Sequence, residues 1–194
     1  MPTPDILLAS GNPHKIEELS ILLRTPLRGL RDLPRVPEIV EDAETFEGNA
    51  LKKARTLAPF TQGWVLADDS GLEVDALNGA PGVHSARFAG EHGNDAANNA
   101  LLLQKLHHTS HRTARFVCVL VLLGPNDTTH VVRGTCEGSI ALTPAGNSGF
   151  GYDPLFIPDG YTQTFAELGD TIKARISHRA HAVQTLQPIL ATLT

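Results

Sequence analysis

The sequence predicts an α/β fold with a mixed sheet flanked by helices, in a single domain over residues 1–194 with two lobes around a central cleft. Three stretches carry that prediction. They are a strand, tight turn and helix between Ile6 and Leu23, the longest β-like run from Thr113 to Leu123 with a second run behind it, and an apolar-striped closing helix after Ser177. Strand–helix alternation and a hairpin together require both parallel and antiparallel pairing. No repeat, low-complexity tract or long Ser/Gly linker divides the chain.

Each element has a local reason. Ile6 to Ala9 is an unbroken apolar run, a buried strand, and it passes through Ser10-Gly11-Asn12-Pro13 into a helix from His14 to Leu23 with Ile16, Leu19 and Leu23 on one face. Leu27 to Pro37 is rich in Pro and Arg and reads as irregular. Thr45 then serves as the N-cap of a helix that turns Phe46, Ala50, Leu51, Ala54 and Leu57 inward. Trp64 to Ala67 is a short strand, interrupted by Asp68-Asp69-Ser70-Gly71 and resumed at Leu72 to Val74, before the turn residues Gly79-Ala80-Pro81-Gly82. Asn94 caps a helix running to Leu106. Thr113 to Leu123 is expected at the centre of the sheet, and Gly124-Pro125-Asn126-Asp127 turns it into a returning strand from Thr128 to Gly134. The last helix begins at a Ser177 cap, buries Ala180, Val183, Leu186 and Leu190, and bends at Pro188.

Composition excludes several classes. The 194 residues are 41% hydrophobic and 19% charged with a formal net charge of −5, values of an ordinary globular domain able to bury one core. Basic residues are scattered, which argues against a broad nucleic-acid footprint. No apolar run is long enough to span a membrane, and the segment Met1 to Leu8 has no basic n-region or cleavage signal. Two cysteines, Cys118 and Cys136, build no disulfide framework, so a reducing, cytoplasmic setting is expected.

Five segments carry candidate chemistry. Ser10-Gly11-Asn12-Pro13-His14-Lys15, at a strand-to-helix turn, offers first-turn N–H groups and a lysine to an anion, without matching the P-loop pattern. Asp68-Asp69 sets two carboxylates side by side, a costly arrangement unless a cation offsets it, and hard carboxylate oxygens suit Mg²⁺ with phosphate co-ligands. The acidic stretch Glu38, Glu41, Asp42, Glu44 and Glu47 could add a further ligand or be a solvated face. Ser148-Gly149-Phe150-Gly151-Tyr152-Asp153-Pro154 brings two rings and small residues to a non-regular segment, where a flat base could stack. Lys173 and Ser177-His178-Arg179 bring cations to the entrance of the last helix. His107, His108 and His111 resemble a metal cluster but lie in a polar connection without Cys or acidic co-ligands.

Taken together, S-G-N-P-H-K, E-D-A-E-T-F-E-G-N-A, A-D-D-S-G-L-E-V-D-A-L-N-G-A-P-G-V-H-S-A-R, G-F-G-Y-D-P-L-F and I-S-H-R-A, in that order between Leu7 and Ala182, resemble the inosine triphosphate pyrophosphatase family of HAM1-like enzymes. The resemblance implies an elongated mixed α/β fold and a homodimeric, Mg²⁺-dependent enzyme. Such an enzyme hydrolyses ITP, dITP and XTP to the monophosphate and pyrophosphate. Carried over by motif, Ser10, Gly11, Asn12, Pro13, His14 and Lys15 contact the triphosphate. Glu41 and Asp69 serve the metal, Asp69 is the base, and Ser70 contacts substrate. Phe150, Gly151, Tyr152, Asp153, Lys173, His178 and Arg179 hold the nucleoside and phosphates. Ser10 stands where the family usually has Thr, and His14 where Gly is frequent. The rival readings are a Maf-like pyrophosphatase of other specificity and a nucleotide-sensing module without turnover.

Overall fold

In the computed structural model, which describes residues 5–25, 27–33, 35 and 38–193, the apolar run Ile6–Leu8 forms β1 and pairs in parallel with β2 (Trp64–Val74), Leu7 opposite Val65. Met1 to Pro4 and, from the Pro/Arg-rich stretch, Pro34, Val36 and Pro37 lie outside the described residues. β3 (Thr113–Leu123) and β4 (Thr129–Ile140) are joined by a turn at Pro125–Asp127, and β5 (Phe156–Pro158) pairs antiparallel with β4. The order is β1-β2-β3-β4-β5, so the sheet is mixed and β3 is its middle strand, as the sequence predicts.

Two expectations about strands are corrected. Asp68 to Gly71 does not interrupt β2, which runs on through them. The reason is alternation: successive side chains leave a strand on opposite faces, so the two acids are separated and the backbone stays extended. β4 likewise continues past Gly134 to Ile140, and β5 is a strand that the sequence does not announce.

The helices are α1 (Pro13–Leu23), α2 (Phe46–Leu57), α3 (Asp95–Lys105), α4 (Phe165–Ile176) and α5 (His178–Ala191). Asn12, Thr45 and Asn94 cap the first three through side-chain oxygens on first-turn N–H groups. α4 is the unanticipated helix; Thr164 and Glu167 form a reciprocal capping box at its start. α5 begins after Ser177 and contains Pro188.

The chain divides into two compact units, Met1–Asp69 with Cys118–Gly134 and Arg179–Thr194, and Ser70–Val117 with Thr135–His178. In the first unit the strand periodicity sorts the core. Leu8, Leu66, Cys118 and Leu120 pack with Leu19 of α1 and Val183 and Leu186 of α5, while Leu7, Val65, Ala67 and Val121 pack with Ala50, Ala54 and Leu57 of α2. The second unit has one cluster around Leu72, Val74, Leu102, Phe116, Phe156 and Phe165, where the Phe116 and Phe156 rings lie 4.6 Å apart.

Candidate active site

The two acids in β2 follow the same sorting. Asp68 points to the face that α1 and α5 cover and is 1% exposed. Its Oδ1 meets Lys15 Nζ at 2.5 Å, and its Oδ2 accepts from Arg179 Nε at 3.3 Å and from the Cys118 thiol at 3.2 Å. Arg179 also donates through Nη1 to Glu18 Oε2 at 2.8 Å. Burial opposes the charge on this guanidinium, but Asp68 and Glu18 outweigh it and hold its pKa above the usual value. Asp68 is therefore an anchor that brings Lys15 of α1 and Arg179 of α5 to one point.

Asp69 points to the α2 face. Lys53 donates from Nζ to Asp69 Oδ1 at 2.8 Å and to the Asp68 carbonyl at 2.9 Å, and Asn49 donates from Nδ2 to Asp69 Oδ2 at 3.3 Å. Glu41, from the loop before α2, reaches the same ammonium with Oε2 at 3.0 Å. Of the neighbouring acids, Asp42 pairs instead with exposed Lys52. Burial raises the Asp69 pKa more than Lys53 and Lys15 lower it, so it stands above the usual carboxylate range. Burial works against the charge of Lys53 too, yet Asp69 and Glu41 keep its pKa raised. This carboxylate is buried and held in position by two α2 side chains.

The donor set decides whether a divalent cation fits. Glu41 and Asp69 converge on one centre of positive charge with hard carboxylate oxygens, which suits Mg²⁺. Among the described residues no three His, Cys, Asp or Glu side chains form a metal-binding group. A cation held here would therefore use these two carboxylates and complete its shell with water and phosphate oxygens.

The turn before α1 departs from the expected cradle. Asn12 Oδ1 accepts from the N–H groups of His14 (2.9 Å) and Lys15 (3.3 Å), and Ser10 Oγ accepts from the Asn12 N–H at 3.2 Å. These first-turn donors are thus taken up by the cap, and Pro13 has none. Gly11, Asn12, Pro13 and His14 are exposed, Ser10 is buried, and Ser70 is half-buried in β2.

The second unit holds the other predicted residues. Asp153 is buried and accepts at Oδ2 from Lys173 Nζ at 2.6 Å and from the Phe150 N–H at 2.9 Å. The Lys173 ammonium also lies 4.5 Å from the centre of the Phe150 ring. Of the two rings expected as base faces, only Phe150 is half-exposed. Tyr152 is packed in the core, where its hydroxyl donates to the Ser85 carbonyl at 2.9 Å and burial pushes its pKa up. Gly151 has a positive φ of 62°. His178 is buried and stacks on Phe116, centroids 4.8 Å apart.

Sequence reasoning missed Lys53 and Asn49. Both fall in the inward stripe of α2 with Phe46, Ala50, Ala54 and Leu57, and that spacing was the available signal.

A mixed sheet flanked by helices, with a buried carboxylate–lysine pair between β2 and α2, defines an α/β protein with a charged centre in its interior. The chain belongs to the Ham1 family, whose sequence profile matches residues 6–189. A protein from Exiguobacterium sp. called dITP/XTP pyrophosphatase is 53% identical over 186 residues, 94% of each chain. The solved Ham1 protein of Staphylococcus aureus superposes with a TM-score of 0.88 at 42% identity, covering 97% of this chain and 99% of its own. A HAM1 protein from Coxiella burnetii gives 0.87 at 41%, covering 96% and 98%.

Proposed function

We propose that this chain hydrolyses non-canonical purine nucleoside triphosphates, dITP, ITP and XTP, to the monophosphate and pyrophosphate, and so clears them from the nucleotide pool. The activity for which its 53%-identical relative is named supports the substrate class. The observation that carries the reading is the convergence of Glu41 and Asp69 on Lys53 beside a pair of basic residues on Asp68. A solvated acidic surface would leave Asp69 in water, where here it is buried against Lys53.

In this reading Asp69 is the base that takes a proton from the attacking water, and Lys53 and Asn49 fix its orientation. Lys15 meets the triphosphate from its place on Asp68, while the exposed Gly11, Asn12, Pro13 and His14 with Ser10 border the phosphates. Glu41 and Asp69 are the residues that would hold magnesium, and when bound it would supply charge neutralisation. Ser70, Phe150, Gly151, Asp153, Lys173, His178 and Arg179 contact nucleoside and phosphates; Tyr152 acts from the core, as a support for the loop. Donors aimed at the 6-keto oxygen of hypoxanthine or xanthine would face the amino group of adenine, a mismatch of about 1 to 3 kcal/mol per contact.

The same reading makes the enzyme a homodimer, as the resemblance implies, which sedimentation velocity tests. It works in the cytoplasm, a setting supported by two buried free cysteines. No helix among the described residues is long and apolar enough to cross a membrane. The deciding assay is pyrophosphate release across a panel of nucleoside triphosphates with and without Mg²⁺. dITP, ITP and XTP are expected to be turned over well and ATP poorly. Comparable turnover of ATP and dITP overturns the specificity, and no turnover of any of them overturns the activity.

A further inference from the structure

The segment that presents Phe150 is held by a helix to which the reaction assigns no role. Asp95 and Asn99 are four residues apart on α3 and so lie on one face of it. Asp95 Oδ2 accepts from the Gly151 N–H at 2.7 Å, and Asn99 Nδ2 donates to the Gly151 carbonyl at 2.9 Å. One helix thus grips both polar groups of a single peptide residue in the left-handed conformation, where the backbone would otherwise be loose. The neighbouring residue Asn98 spends its own amide on the Ala89 N–H and the Ala86 carbonyl, tying a second loop to the same helix.

The grip on Gly151 is not generic helix chemistry. Asn99 Oδ1 is buried and accepts no hydrogen bond among the described residues, an arrangement that folded proteins rarely keep without a reason. A leucine there would avoid the orphaned acceptor but could not donate to Gly151. The Asp95 bond is charge-assisted, the stronger kind, and is used on a loop backbone although Asn94 already caps the helix.

We propose that Asp95 and Asn99 are positioning residues that fix the Gly151 peptide, and through it the Phe150 ring, so that the purine end of the substrate meets a preformed surface. This inference rests on the functional reading above. It assigns the pair to recognition of the nucleoside and gives it no share in the chemistry at phosphorus.

The test compares Asp95→Ala, Asn99→Leu and Asp95→Asn with the unaltered enzyme in dITP hydrolysis, with inosine monophosphate and inorganic tripolyphosphate as inhibitors. For Asp95→Ala and Asn99→Leu, KM is expected to rise about tenfold with kcat within about twofold, and inosine monophosphate to inhibit about tenfold more weakly with tripolyphosphate unchanged. Asp95→Asn keeps an acceptor and is expected to recover most of the loss. Amide hydrogen exchange over residues 148–153 should accelerate in the first two variants, and if Asp95→Ala does not fold, Asn99→Leu carries the comparison. Parallel weakening of both inhibitors, or folded variants indistinguishable from the unaltered enzyme, overturns the proposal alone. An unaltered enzyme that does not hydrolyse dITP overturns the functional reading and this purpose with it.

Discussion

Asp69 is a buried acid paired with Lys53, and its titration has a definite sign. Its pKa in the folded chain is raised from 3.8, chiefly by burial, so its contribution to stability is fully present below that value and lost as pH rises through the folded pKa. In the proposed role of Asp69 as base, the ionised form that turnover uses is thus held at a cost. Asp69→Asn should lower kcat by about a thousandfold or more while far-UV circular dichroism stays unchanged. Lys53 is the largest charge opposing the shift. Lys53→Met should therefore move whatever acid limb of kcat/KM remains to higher pH, and it should cost about 3 kcal/mol in urea unfolding by leaving two carboxylates without their cation. Near-normal activity of Asp69→Asn, or an acid limb unmoved in Lys53→Met, counts against these roles. The proposal that Asp69 is the reactive member of the pair rests on the resemblance. The physical distinction between Asp68 and Asp69 required the strand to be continuous, because only then do adjacent residues face different helices. Lys53 escaped notice because beside Lys52 it reads as one of two solvated lysines, although one is buried and the other exposed.

At the scale of elements, caps and apolar periods made β1, α1, α2, α3, β3 and α5 legible. The element that was missed, α4, had a legible start in Thr164-x-x-Glu167, but Gly169 at φ 75° breaks the helical pattern inside it and hid the rest. β5 is three residues ending in proline and owes its strand character to β4, a dependence that no local pattern contains. α4 matters because its last turn carries Lys173 to Asp153. Thr164 is buried, accepts from the Glu167 N–H and donates to the Ala145 carbonyl at 2.8 Å. Thr164→Ala removes both bonds and is expected to cost about 1 to 2 kcal/mol, a fall in melting temperature of about 2 to 8 °C by differential scanning calorimetry. Thr164→Ser keeps the hydroxyl and should lose only a fraction of that; equal losses in the two variants would mean that the methyl packing, and not the cap, holds the helix.

For the molecule as a whole, the question is how a chain of net charge −5 holds a polyanion. Its cations are already committed. In the first unit Lys15, Lys53 and Arg179 face Asp68, Asp69, Glu41 and Glu18, three positive groups against four negative ones, and in the second Lys173 is neutralised by Asp153. Among the described residues these pairs leave no surplus positive charge for a triphosphate tail, and the net charge of the chain is unfavourable to one. Binding must therefore bring its own cation, which the Glu41–Asp69 pair is chemically suited to receive. The expected consequence is that metal governs affinity as well as turnover. Isothermal titration with a non-hydrolysable dITP analogue should give binding at least about a hundredfold weaker in EDTA than with excess Mg²⁺, and Glu41→Gln should require more Mg²⁺ for half-maximal activity. If the analogue binds equally tightly without a divalent cation, Lys15 and Arg179 must be released from Asp68 on binding and supply the charge themselves. Asp68 would then be a latch that opens for the substrate, and not the fixed anchor that a metal-led binding step requires.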